Sequence, residues 1–550
     1  MLVFEKWNFN RMYISYRPLI ASSFLFFTLS ILNPVHALPL VGFFSEFFCF
    51  IGCLTLLPFL FKIKIEVPRI ILPLFLILLI PLIQFSLGYV FFFFNAFFSF
   101  VYLLFFLLMI LLGYNLKKSN VVDIKFFLAI FFLSVSIVSS FFAIIQWLGL
   151  SKDSAFILNL VGSRPYANMA QPNHLSTFLC MGLFSCWYFF ENKKIGKSLF
   201  YVLCSILYFS IALTQSRTAW LIILFSSFFV FLINKKYNMR ISKINLLAGG
   251  AFFVLCVFIF PLINGFMAQY FNIIDTGSIV ERVSSGYERF KIWNQIFHAI
   301  LQKPWFGYGW NQTTAAQFEV IDQFPGKEWA TSSHNLILDI LVWCGIPLGF
   351  LISSYFVYLY VRAYSSIEGV GDIFLFLVVS SVLIHSFLEF PLYFSYFLMP
   401  IGLIFGVLLK SENKFIFLNQ ILIVFIFFSG FFLGAVIFRE YLKIEDNLFS
   451  GRLHAMGDLR DEVKLPYHLY FFDFFDDRAK WLALYPKMKV SPEKLMLGEK
   501  MVKTYLKPYD IHKYAQLLAF NGYKDEADRQ LKILNILYGI DVSYNDLLEK

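Results

Sequence analysis

Charge is what this chain has least of: only 15% of its 550 residues are Asp, Glu, Lys or Arg, while 59% are hydrophobic and 74 are Phe. With a mean hydropathy of +0.71, it carries more apolar surface than a water-soluble core of this length could bury. That excludes an ordinary soluble enzyme and leaves a polytopic membrane protein. Cysteine is sparse too, and Cys49, Cys53, Cys180, Cys186, Cys204, Cys256 and Cys344 all lie in apolar runs. No disulfide framework is implied, and the thiols read as small packing residues. A Gly307-Tyr308-Gly309 segment lacks the third glycine and the preceding strand of a nucleotide fingerprint, so it reads as a turn after Pro304. No sequence repeat stands out.

What is there is a series of long apolar runs. A hydrocarbon core about 30 Å thick needs about 20 apolar residues per helical span. Thirteen runs qualify, near 18–33, 38–61, 70–87, 92–115, 126–148, 174–190, 198–213, 217–233, 245–264, 335–360, 373–389, 393–409 and 415–437. The first follows Lys6, Arg11 and Arg17 with no small-residue cleavage site, so it reads as an anchor. Cytoplasmic loops retain Lys and Arg. With the N-terminus inside, the inner segments collect Lys62 and Lys64, Lys117 and Lys118, Lys193 and Lys194, Lys235 and Lys236, and finally Arg362, Lys410 and Lys414. Merging 198–213 with 217–233 would push the Lys235–Lys243 cluster outside, so a break at Thr214-Gln215-Ser216 is expected.

Four regions follow: an N-terminal bundle over 1–264, a large outward loop over 265–333, C-terminal spans over 334–438, and a soluble helical tail over 439–550. The tail balances 18 basic against 18 acidic residues, so the net charge of +10 belongs to the membrane part. It is a topology signal and no sign of nucleic-acid binding. Apolar spacing over Ile511–Tyr538 predicts a helical hairpin of tetratricopeptide character.

The ionisable groups at or inside the spans are Glu46, His174, Asp339, His385 and Glu389, and all map to the outward half, as do all 8 histidines. Charges in lipid are costly and usually line a cavity or pair together. A polar chamber opening outward fits better than the midplane site of a transporter.

The ordered series Gln171-Pro172-Asn173-His174, Ser216-Arg217-Thr218-Ala219-Trp220, Arg289 to Trp293, Gly307-Tyr308-Gly309-Trp310, Ser333-His334-Asn335 and Glu389-Phe390-Pro391-Leu392-Tyr393 resembles the bacterial O-oligosaccharyltransferases of the PglL type. These pilin-glycosylating enzymes are related to the O-antigen ligases. The resemblance spans about 160–410 and, more loosely, the tail. It implies a GT-C-like architecture and an inverting, metal-independent enzyme without a cofactor. Its donor would be a polyprenyl-diphosphate-linked oligosaccharide in the inner membrane, and its acceptor a pilin-like protein on the periplasmic face. The absence of any Asp-x-Asp pair or Trp-Trp-Asp element agrees with a chemistry that uses no metal.

The residues can supply the parts. A Ser or Thr hydroxyl needs a general base whose pKa lies near the operating pH, which imidazole offers. His334 is the candidate. Thr331, Ser332 and Ser333 are good capping types, which predicts His334 in the first turn of the following helix, where the positive helix end disfavours imidazolium. Arginine binds phosphate oxygens bidentately and stays charged. Arg217, at an outer turn, and Arg289, in the outward loop, are the diphosphate candidates, with Arg282 in reserve. The resemblance assigns positioning roles to Gln171 and Tyr393, although Gln171 could simply cap a helix and Tyr393 could be an interface aromatic. His174 is a possible support. His385 and Glu389, spaced i,i+4, read as a pair on one helix face, either structural or relaying to His334. Two competing functions remain: an O-antigen ligase or polymerase with a saccharide acceptor, and a transporter of lipid-linked sugars.

Overall fold

The computed structural model describes the backbone of residues 2–120, 122–152, 154–271, 279–411, 414–457 and 459–549; within these, the side chains of 2–16 and 279–287 are not described. Lys6, Arg11 and Arg282 therefore lie outside the described side chains. Among the described residues the regular structure is almost all helical, with one two-stranded antiparallel ribbon pairing Ile65–Pro68 with Phe415–Leu418. Among the described residues, eight helices are long and apolar enough to cross a membrane, and four shorter apolar helices lie at Arg17–Leu32, Arg217–Ile233, Val370–Ser386 and Ser395–Leu408. The protein is an all-α membrane protein. All seven cysteines are free, and all but Cys204 are buried, as packing residues should be.

The chain divides into two compact units. The first comprises 1–73, 105–277 and 358–431. At its centre is the Pro172–Glu191 helix, buried along nearly its whole length against Ile124–Trp147, Lys197–Thr214 and Val370–Ser386. Small residues let these helices approach closely, as they do inside membranes. A Cβ on Gly182 would collide with Ser136, and one on Gly406 would meet the backbone of Ile110 and Tyr114. Two ion pairs lie in this unit, Lys118 with Glu66 at 2.5 Å and Lys125 with Asp372 at 2.6 Å. The expected break after Thr214 is present: Gln215 adopts a left-handed φ of 49°, and a new helix starts at Arg217.

The second unit comprises 74–104, 278–357 and 432–550. The segment expected to form a large loop is not an open loop, since it contains helices Ile279–Gln302 and Thr313–Val320. Six helices follow from Ile444 to Leu548, and the predicted hairpin is the pair Pro508–Phe520 and Lys524–Tyr538. Helices before and after it pack against it and one another. These helices are fastened to the Thr313–Val320 segment by Lys503 on Glu319 at 2.7 Å and by Arg529 on Asp322 at 3.2 Å. They are also fastened to the start of the Phe93–Ser119 helix, where Asp473 accepts the N–H groups of Phe93 and Phe94, both at 2.8 Å. Phe92 and Phe94 pack edge-on or tilted against Phe472, Phe474 and Phe475 around that cap. These phenylalanines are core here.

The Leu336–Ser365 helix is two helices joined at Gly345, whose φ of 76° and ψ of 171° suit glycine alone. The kink frees carbonyls, and the Gly307-Tyr308-Gly309 turn takes them up. Tyr308 donates to Val342 at 2.8 Å, Gly309 donates to Trp343 at 3.1 Å, and Ile346 donates to Pro304 at 2.6 Å. A Cβ at either Gly307 or Gly345 would strike backbone, so this is the physical content of the glycines in that motif.

Candidate active site

The second unit brings His334 and the Arg289 helix together. Asn335, not the Thr331-Ser332-Ser333 run, caps the helix: its side-chain oxygen accepts the N–H groups of Ile337 at 3.1 Å and Leu338 at 3.3 Å. His334 thus stands before the helix rather than in its first turn, with a left-handed φ of 57°. Such backbone costs a non-glycine residue about 1 kcal/mol, and it persists where surrounding contacts over-determine it.

Asp339, 2% exposed, accepts from the Ser332 hydroxyl at 2.6 Å, from the Ser333 N–H at 2.8 Å and from the Thr313 hydroxyl at 3.1 Å. The Ser332 oxygen in turn accepts the N–H of His334 at 3.0 Å. Trp343 donates to Thr313 at 2.9 Å, which extends the network to the kink. From the other side, the Trp293 indole donates to the Ser333 carbonyl at 2.8 Å. Trp293 lies four residues after Arg289 on the Ile279–Gln302 helix, so both share the face turned to the His334 segment. Gln295 and Gln317 hold the rest of the loop: Gln317 donates to Gln295 at 2.7 Å and accepts the Ala330 N–H at 2.8 Å.

The first unit assembles a second polar cluster around the start of the Pro172–Glu191 helix. Gln171 is its N-cap, its side-chain oxygen accepting the His174 N–H at 2.6 Å. Arg164 donates to the Thr214 carbonyl at 2.8 Å and to Asn173 at 3.1 Å, and Asn173 donates to Glu389 at 3.2 Å. His174 meets the Tyr396 hydroxyl at 2.9 Å and lies edge-on to His385 at 5.4 Å. His385 bonds to Thr177 at 2.9 Å. The helix bearing His385 ends at Ser386, but the Glu389 N–H still donates to the His385 carbonyl at 2.9 Å, so the i,i+4 relation between the two residues persists into the following turn. Tyr393 closes a short 3-10 turn, half-buried against Phe390. Arg217 is exposed at the first residue of its helix, where the unsatisfied N–H groups and the helix dipole favour an anion.

Sequence reasoning missed Arg164 and Tyr396 and left Asp339 without a role. Arg164 stands in no motif. Its only signal was being a cation just upstream of Gln171.

The helical membrane architecture, with the His334 segment tied to the Arg289 helix, fits one class, the membrane glycosyltransferases of the O-antigen-ligase type. Residues 200–353, which include Arg217, Arg289 and His334, match the O-antigen ligase family. Residues 165–190 match the protein glycosylation ligase family, and 373–543 match the virulence factor membrane-bound polymerase C-terminal family. The chain is 35% identical over 531 residues to a general O-oligosaccharyltransferase of Acinetobacter baylyi, covering 94% of this chain and 92% of that protein. It is 33% identical over 380 residues to a ComP-specific O-oligosaccharyltransferase of the same organism, covering 68% and 67%. The chain belongs to the O-oligosaccharyltransferase family, and it is a glycosyltransferase.

Proposed function

We propose that the protein transfers an oligosaccharide en bloc from a polyprenyl diphosphate carrier to a Ser or Thr hydroxyl of a pilin-like protein, at the periplasmic face of the inner membrane. The reading includes thirteen spans, a core formed by 160–264 and 334–438, and the segments 265–333 and 439–550 on the periplasmic side. One observation carries it: His334 is held in left-handed backbone by the buried Asp339 network, with Trp293 tying its neighbour to the helix that presents Arg289.

In the step, the acceptor oxygen attacks the anomeric carbon on the face opposite the diphosphate, and its proton passes to the His334 imidazole. The bond from the anomeric carbon to the diphosphate oxygen breaks, with inversion. Arg217 and Arg289 offset the charge that develops on the departing polyprenyl diphosphate, and preorganised cations of this kind act mainly on the transition state. Gln171 and Tyr393 orient sugar or acceptor; His174, His385 and Glu389 support them.

The match of 373–543 to a polymerase family favours one alternative, a saccharide acceptor. Purified protein supplied with lipid-linked oligosaccharide and either a pilin-like protein or a free oligosaccharide separates the two. Mass gain on the protein supports the proposal, whereas chain extension of the saccharide alone removes it. Passage of lipid-linked sugar across liposomes with neither acceptor changed would make the protein a transporter.

A further inference from the structure

The tail contains a cavity of about 290 Å³ that no step above uses. One face of the Pro508–Phe520 helix lines it with Tyr509, His512, Lys513 and Gln516, at helical spacing, and Lys487 and Tyr485 stand opposite. Leu459, Leu484 and Pro486 make part of its wall apolar.

Lys513 is 5% exposed. Its ammonium donates to the Leu482 carbonyl at 2.9 Å and to the Tyr509 hydroxyl at 3.2 Å. An ammonium has three donors, so one is left without a hydrogen-bond acceptor among the described residues, with the Trp481 ring centroid 5.1 Å from the ammonium, and it can serve an occupant of the cavity that Lys513 lines. The charges around it do not balance. A fully buried carboxylate, Asp510, accepts from Arg478 at 2.5 Å and from the Trp481 indole at 2.8 Å, both on one oxygen, while its other oxygen has no hydrogen-bond partner. Among the described residues, two cations, Arg478 and Lys513, thus share one anion, and Lys487 adds a third cation at the cavity wall, where its ammonium also donates to the Glu549 carbonyl. Buried charge without compensation is costly, and an incoming anion removes that cost.

We propose that this cavity is a docking site for a peptide carboxylate, seated on Lys513 and Lys487 with its neighbouring apolar side chain against Leu459, Leu484 and Pro486. That the peptide belongs to the acceptor protein rests on the protein-acceptor reading above. A uronic acid fits less well, because its hydroxyl groups would face the apolar wall. A phosphate would be expected to find arginine forks, and the cavity offers lysines. The Lys513 pKa agrees with the geometry: burial first and Arg478 second push it down to about 7, against the pull of Asp510, so an added carboxylate would restore its charge.

The test is fluorescence polarisation on the full-length protein in detergent, with a fluorescein-labelled Ser-containing peptide ending in Leu as the free acid, as the amide, and as the amide with an internal Glu. The free acid should bind at least tenfold tighter than the plain amide, and binding of the Glu-bearing amide would identify a side-chain carboxylate as an equally valid source. Lys513→Met should abolish the preference. Lys487→Gln, at the cavity wall and safer for folding, should weaken it severalfold. Equal affinity for acid and plain amide, or no effect of Lys487→Gln and Lys513→Met, overturns the proposal, as does binding of glucuronate with no peptide binding. Transfer assayed in parallel keeps the two readings apart. Carboxylate-dependent binding without transfer to any protein removes the acceptor reading and leaves the site, whereas transfer without such binding removes the site alone.

Discussion

Asp339 accepts a hydrogen bond from the backbone N–H of Ser333 at 2.8 Å, so a carboxylate buried in the first turn of one helix fixes the residue preceding His334. Asp339→Ala leaves the Ser332 and Ser333 donors and the Thr313 hydroxyl without this acceptor, which costs about 1–3 kcal/mol for buried groups. A misplacement of about 1 Å at a reacting group can lower rate about 100-fold. The expected outcome is a drop of that order in transfer rate at saturating donor, with a lower melting temperature. An unchanged rate would remove Asp339 from the positioning of His334.

Gly345 meets the Trp305 carbonyl so closely that a Cβ there has no room. Gly345→Ala combines a backbone conformation reserved for glycine with a clash against main chain, a cost on the order of 3 kcal/mol. Reduced yield of folded protein and a lower melting temperature are expected, while Gly369→Ala, which meets open space, should change little.

The Asp473 cap joins the tail to the start of the Phe93–Ser119 helix. Asp473→Ala removes an N-cap worth about 1 kcal/mol and leaves two N–H groups beside an aromatic cluster. The tail should then be cut by protease at lower concentration than in the parent protein, and the membrane helices should stay intact.

Lys513 gives a pH prediction. Its folded pKa of about 7 lies below the ordinary 10.5, so the unfolded chain binds this proton more tightly between those values. Its contribution to stability is lowest below pH 7, rises from pH 7 to about 10.5, and is constant above. The slope reaches at most about 1.4 kcal/mol per pH unit. Tail melting followed from pH 7 to 9 should show the rise, and Lys513→Met should flatten it. A slope that survives the substitution would assign it to another group.

The helical, membrane-bound character of the chain could be read from hydropathy because lipid imposes length and apolarity on each span directly. Motif order was legible for a related reason: His334, Gln171 and Arg217 all sit at helix starts or breaks, which composition marks. The exact cap was not legible, because Ser332, Ser333 and Asn335 can all cap a helix. The choice was made by Asp339, whose carboxylate engages the first two and leaves Asn335 for the helix. Asp339 itself hid inside an apolar run. Asp473 and Phe93 are bonded across 380 residues, and no local pattern records such a pairing. Arg164 escaped for the same reason, since Thr214 and Asn173 become its partners only after the helices pack.

The most direct measurement is transfer by His334→Ala and His334→Gly, read as intact-mass gain on the protein acceptor from lipid-linked oligosaccharide. Loss of a general base should lower the rate about 100- to 10,000-fold in both variants. The glycine variant should fold at least as stably as the parent, because glycine adopts the left-handed backbone freely. Acceptor modification within tenfold of the parent rate in either folded variant would contradict the assignment of His334 as the base.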